Sequence, residues 1–177
     1  MADKRFIIDN LAFRLCSYYP NSSINLGRGD PNARLVIINA DHKTPERDGM
    51  SGALKRFGLL EHSYRLPWNI VNDASDRENI SIAKELIEII RPLVVVTSGE
   101  FVTQLYQSDD DLEVRFGKKF LVKDLKNIVF YAITNPEQYS FARASVKLKK
   151  RGKEEWDGLY DLFNKINKQH EEERWKV

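Results

Sequence analysis

Two short polar segments that follow β-branched apolar runs carry the residues best suited to chemistry. The run Leu35-Val36-Ile37-Ile38 leads into Asn39-Ala40-Asp41-His42-Lys43. The run Ile128-Val129-Phe130-Tyr131-Ala132-Ile133 leads into Thr134-Asn135-Pro136. Between them, Trp68-Asn69-Ile70-Val71-Asn72 adds a third amide behind an apolar stretch. In an open α/β sheet, ligands bind in the crevice outside the carboxyl ends of the strands. An aspartate and two asparagines delivered there from separate parts of the chain would face one cleft.

Each of these side chains suits one part of an N-glycosidic cleavage. Such a bond breaks with positive charge developing on the sugar, so the Asp41 carboxylate could steady that charge and direct a water. The Asn69 amide donates and accepts at once, which fits the Watson–Crick edge of a flipped pyrimidine. Asn135 could donate to a base carbonyl as negative charge builds on the leaving base. Each also has a plainer reading. An Asp after a strand is commonly a turn or cap residue, Asn69 reads equally as a turn former, as Asn72 does, and Asn-Pro is an ordinary turn dipeptide.

The elements that must position these residues follow from periodicity. Helix spacing covers residues 4–19, with Phe6, Ile7, Leu11 and Leu15 in step, and residues 21–32 read as loop. A strand is expected at 35–39, a helix at 49–60 closing near Gly58, and a second strand at 64–71 weakened by Pro67. Residues 76–90 form a clear helix whose stripe is Ile80, Ala83, Leu86, Ile87 and Ile90. A buried parallel strand at 93–97 follows, and Ser98-Gly99 turns into a helix at 100–106. An acidic loop at 109–111 precedes a hairpin or irregular excursion at 114–122. The fourth strand is 128–134, and the last helix is 153–170 with Trp156, Leu159, Phe163 and Ile166 on one face. Strands alternating with helices predict an α/β fold, a three-layer α/β/α sandwich around a central, mainly parallel four-stranded sheet. Residues 1–177 read as one domain.

Composition bounds the function. The 28 basic and 26 acidic residues nearly cancel, leaving a net charge of +2. Their distribution is uneven, because residues 143–153 hold Arg143, Lys147, Lys149, Lys150, Arg151 and Lys153 with no acid among them. A local basic patch is the footprint of a phosphate-binding surface, although a charge run is often only a solvated helix end. Cys16 is the single cysteine, which excludes an internal disulfide and a cysteine metal cage. Asp3, Lys4, Arg5, Asp9 and Arg14 exclude a secretory apolar region near the start. No apolar stretch is long enough to span a membrane. A cytoplasmic, prokaryotic-style protein is expected. His42, His62 and His170 are too scattered for a metal site, so no metal is expected. Gly27-Arg28-Gly29 precedes a strand rather than following one, which fails the context of a dinucleotide fingerprint.

Taken together, residues 16–156 resemble the uracil-DNA glycosylase superfamily. The lead-in Leu26-Gly27-Arg28-Gly29-Asp30-Pro31-Asn32-Ala33-Arg34 looks like the G-E-G-x-P-x-A-x stretch of the iron–sulfur branch. Asn39-Ala40-Asp41-His42-Lys43 sits where the superfamily has G-Q-D-P-Y or G-E-A-P-G, so Asp41 matches the water-activating aspartate. Asn69-Ile70-Val71-Asn72 looks like N-V-V-K, whose Asn reads the base. Val94-Val95-Val96-Thr97-Ser98-Gly99 resembles the third strand and its turn. Thr134-Asn135-Pro136-Glu137-Gln138-Tyr139-Ser140 occupies the second motif, where many members have H-P-S and the mismatch-specific uracil and thymine enzymes have N-P-S. Four motifs in the right order, each at an expected strand end, make the resemblance specific where each alone is weak.

The departures narrow the expectation. Only Cys16 could match one of the four cluster cysteines, so no iron–sulfur cluster and no other cofactor is expected. Lys43 replaces the Tyr that excludes bulky 5-substituents, and the aromatic that stacks on uracil is missing, with Met50 the nearest residue. The resemblance then implies a pocket open at the pyrimidine 5-position, where His42, Lys43 and Arg47 add hydrogen-bond donors suited to a sugar-decorated base. Some members excise glucosylated hydroxymethylcytosine from phage DNA, and this chain looks like a candidate for that role. Asp41 and Asn135 are the expected catalytic residues, and Asn39, Lys43, Asn69 and Met50 the base-binding ones. Gln138, Tyr139, Ser140, Arg143, Lys147 and Lys149 are expected to grip DNA. The expected partner is DNA, with no membrane, and the chain is expected to be a monomer. The alternatives are a uracil or mismatch repair glycosylase, a catalytically inactive nucleic-acid-binding module on the same fold, and a hydrolase or transferase of free nucleosides.

Overall fold

In the computed structural model, residues 3–39, 49–107, 113–125, 127–140 and 144–174 are described, the side chains of 139, 140 and 174 apart. In chain order the elements are α1 (Lys4–Tyr18), β1 (Arg28–Gly29), β2 (Leu35–Asn39), α2 (Gly49–Arg56), β3 (Ser63–Pro67), α3 (Asp76–Ile90) and β4 (Val94–Ser98). They continue with α4 (Glu100–Tyr106), β5 (Lys118–Phe120), β6 (Val129–Ile133), α5 (Glu137–Ser140) and α6 (Val146–Arg174).

The strands form one six-stranded sheet in the order β1-β3-β2-β4-β6-β5. The inner strands β3, β2, β4 and β6 run parallel, while β1 and β5 pair antiparallel at the two edges. The sheet is therefore mixed and six-stranded, which corrects the expectation of a four-stranded one. Both edge strands are too short to show alternation in sequence, and β5 is two lysines and a phenylalanine. At β1 the chain crosses β3 closely. Gly27 has φ +85, and a Cβ there would lie 2.1 Å from the Arg65 carbonyl oxygen, so only glycine fits.

Alternation within the inner strands builds two cores, one on each face. Val36, Ile38, Tyr64, Leu66, Val95 and Phe130 meet α1, α3 and α4. Leu35, Ile37, Val94, Val96, Tyr131 and Ile133 meet α2 and α6. Helices thus cover both faces in three layers, and burial on both sides is why β2, β4 and β6 read as apolar runs. On the α6 side, a Cβ on Gly158 would lie 2.5 Å from the Tyr131 hydroxyl, so this glycine lets the helix close onto β6.

Three boundaries differ from expectation by more than a shift of one residue and bear on the site. Strand β3 stops at Pro67 rather than Val71; Trp68 N–H still donates to the Asn39 carbonyl at 3.2 Å before the chain turns away. Helix α2 ends at Arg56, and a single 3₁₀ turn covers Leu60–His62. Helix α6 starts at Val146, because the Ser145 hydroxyl accepts the Leu148 N–H at 3.2 Å and caps it. Lys147, Lys149, Lys150, Arg151 and Lys153 of the basic run therefore lie in the first turns of α6. Among the described residues, no helix is long and apolar enough to cross a membrane.

Candidate active site

From β2 the chain moves to β3 on one side, then crosses to β4 on the other. The helix between β2 and β3 covers one face, and the helix between β3 and β4 covers the opposite face. The carboxyl ends of β2 and β4 therefore flank a topological switch point, where open α/β sheets take their ligands. Register sets Asn39 beside Ser98, and Ser98 beside Ile133, so the Asn135 segment leaves the sheet two strands from Asn39. At about 4.8 Å per strand, that separation is about 10 Å, the span of a nucleoside laid across the ends.

Two polar atoms at these ends are buried without a hydrogen-bond partner among the described residues: Ser98 Oγ and Asn69 Oδ1. Buried polar groups in folded proteins usually have a partner, and at the mouth of a crevice a ligand can supply it. Asn69 lies two residues past β3, half-buried. Trp68, beside it, meets Phe101 of α4 edge to face with ring centroids 4.9 Å apart. These rings come from the ends of β3 and β4, on either side of β2, so they bridge its carboxyl end.

Asn135 has a fixed orientation. Its Oδ1 accepts the Glu137 N–H at 3.1 Å, and its backbone carbonyl accepts the Gln138 N–H at 2.9 Å, which starts α5. With the amide oxygen committed to the cap, the Nδ2 group is the donor that Asn135 can offer to a ligand. A Cβ built on Gly99 would come within 4.0 Å of Asn135 Cβ, so the ends of β4 and β6 converge here.

The residue before Asn135 is held by a buried carboxylate that sequence reasoning did not single out. Glu155, 4% exposed, accepts the Thr134 N–H at 2.7 Å and the Thr134 hydroxyl at 2.9 Å. Arg151 Nε donates to the same carboxylate at 3.0 Å and lies over the Phe116 ring. Nearby, burial, with Glu155 and Asp161 adding to it, pushes the Tyr131 phenol up to about 12, so it stays protonated and donates to the Glu155 carbonyl at 3.1 Å. On the β3 side, Asn79 of α3 is 2% exposed and fastens the Asn69 segment. Its Oδ1 accepts the Val71 N–H at 2.8 Å, and its Nδ2 donates to the Val71 and Ala74 carbonyls. Arg65 of β3 is buried on the opposite face and donates to Ser51 Oγ at 2.9 Å, tying down the first turn of α2. Burial, and Arg28 close by, lower its pKa to about 10, which leaves it charged at neutral pH.

The expected site residues are distributed as follows. Asn39, Asn69 and Asn135 come to neighbouring strand ends. Asp41 and Lys43, with His42, Arg47 and Arg143, lie outside the described residues. Met50 is 2% exposed and packs in the core beneath α2 with Leu54, one helical turn on. Gln138 is exposed, and Tyr139 and Ser140 belong to α5. Lys147 and Lys149 are exposed on the first turns of α6. No protein-family model matches this chain, and no curated protein matches it.

Proposed function

We propose that this chain is a DNA glycosylase of the uracil-DNA glycosylase type, which flips a modified pyrimidine out of the stack and hydrolyses its N-glycosidic bond. The observation that carries this reading is the set of amides and orphaned polar atoms at the switch point. Asn69 Oδ1 and Ser98 Oγ lack partners among the described residues, and Asn135 is oriented by its cap so that Nδ2 can donate.

In the proposed reaction the C1′–N1 bond breaks and the electron pair leaves with the base. Asn135 Nδ2 donates to the base carbonyl next to the broken bond, where negative charge grows. Asp41 accepts a proton from the water whose oxygen bonds C1′; the base leaves as an anion that then takes a proton from solvent, and Asp41 returns its own to solvent. Asn69 recognises the base edge, and the segment Gln138 to Arg143, with Lys147 and Lys149, holds the phosphates. Lys43 in place of an excluding aromatic favours a base enlarged at its 5-position, with glucosylated hydroxymethylcytosine of phage DNA as the proposed substrate.

Base release followed by alkaline cleavage tests this on three DNAs: uracil-containing, glucosylated hydroxymethylcytosine-containing and unmodified. Abasic sites in the glucosylated DNA alone are the expected result, and Asp41→Ala should reduce them about 10²–10⁴-fold while DNA binding persists. Cleavage of uracil DNA alone would move the protein to base repair. Abasic sites in neither would leave a binding module.

A further inference from the structure

We infer that the groove between α2 and α6 is the track of a single nucleic-acid strand. The groove has a volume of about 940 Å³. One wall is Gly52, Ala53 and Arg56 of α2, and the other is Lys149 and Lys153 of α6. Three cations, Arg56, Lys149 and Lys153, therefore face one carboxylate, Asp157, and that carboxylate is taken by Lys153 at 2.6 Å. All three cations are exposed, Lys153 beside its Asp157 partner, and they line the groove from both sides.

The groove also offers an aromatic surface. Phe57, half-buried, stacks on the buried Trp156 with centroids 5.5 Å apart and planes 15° from parallel. Cations at the rim with a ring inside are the combination by which proteins hold single strands, where the backbone follows the charge and bases stack on aromatics. The volume falls at the upper end of small-ligand sites, roughly 300–1,000 Å³. A space of that size holds a few nucleotides of one strand. Pro136, the neighbour of Asn135, also lines the groove, so a strand in it runs on from the switch-point crevice. The choice of nucleic acid as the occupant, and with it the strandedness, rests on the glycosylase reading; the location of the groove does not.

Gly52 provides the test. It lies within α2, and a Cβ there would meet nothing within 4 Å, so a side chain fits without disturbing the fold. Gly52→Glu fills the groove and adds a negative charge, and Arg56→Glu reverses a wall charge independently. Binding of a labelled oligothymidylate of about eight nucleotides, a length typical of single-strand sites, is measured by anisotropy beside the matching duplex. The wild-type chain should prefer the single strand, with a log–log salt slope of about −2 from three phosphate contacts. Each variant should bind it about tenfold or more weakly while melting as the wild type does. Wild-type affinity in both variants, or a preference for the duplex, overturns the inference. Base release measured on the same preparations separates the two readings. Groove-dependent binding without base release removes only the glycosylase, and base release with groove-independent binding removes only the track.

Discussion

Glu155 holds Thr134 at two points, taking its backbone N–H at 2.7 Å and its hydroxyl at 2.9 Å. Asn135 follows directly, so a residue on α6 fixes the direction in which β6 delivers its amide. Truncation to Ala would leave the Thr134 N–H buried with no acceptor. Glu155→Ala is expected to cost about 2–3 kcal/mol, read as a fall in urea midpoint with an unchanged slope. Glu155→Gln keeps an acceptor and should recover most of the stability and of the base release. Equal midpoints for Ala and wild type would mean the clamp contributes nothing.

Asn135 can be split into its two roles. Asn135→Asp keeps an oxygen for the Glu137 N–H and so keeps the cap on α5, but it has no donor when ionised. Asn135→Ala loses both. Both variants should release base about 10²–10³-fold more slowly, as when a transition-state donor is removed. Only the Ala variant should also lose cap stability, about 1 kcal/mol. Undiminished turnover by Asn135→Asp would take Nδ2 out of the chemistry.

The sequence signals that held were those enforced by burial. Strand β2 and helix α3 fall where periodicity put them, because unbroken β-branched runs and a 3.6-residue stripe each have one way to bury themselves. The edges did not show. Arg28 and Gly29 pair with β3 over two residues, too few for an alternating side-chain pattern to mark them. Glu155 carried a faint signal. It sits one turn before Leu159 and two before Phe163, which places a carboxylate on an apolar stripe, with Arg151 a further turn back. Which amides meet at the switch point depended on strand order, which is a long-range property. Asn39, Asn69 and Asn135 were legible as strand-end residues; the orphaned Ser98 hydroxyl and the Trp68–Phe101 contact were not.

Asn79 makes a prediction of the same kind on the other side of the crevice. Its three hydrogen bonds to Val71 and Ala74 hold the turn that carries Asn69, and they are made in a buried setting. Asn79→Leu fills similar volume but takes the side-chain partner from the Val71 N–H and the Ala74 carbonyl, while the Val71 carbonyl keeps the Ala74 N–H at 3.2 Å. A loss of about 2–3 kcal/mol is expected in chemical unfolding. Base release should fall with it even at temperatures where the variant is fully folded, because Asn69 loses its anchor. A folded Asn79→Leu with wild-type base release would show that the turn holds its shape without the amide.

The α3 cap sets an acid limit on stability. Glu78 closes a capping box with Ser75, whose hydroxyl and backbone N–H both donate to it, and the Tyr19 hydroxyl donates as well. These bonds, Ser75's first, hold the Glu78 carboxyl down to about 2 against an ordinary 4.5. A carboxyl depressed by folding contributes stability that is fully present above its unfolded pKa and is lost as pH falls through its folded one. For Glu78 that window runs from about 4.5 down to about 2. Glu78→Gln preserves an acceptor for the box but removes the charge. The wild type should melt above this variant at pH 7, and the gap should close progressively between pH 5 and pH 2.5. A gap of constant size across that range would assign the stabilisation to the hydrogen bonds and none of it to the ionised carboxylate.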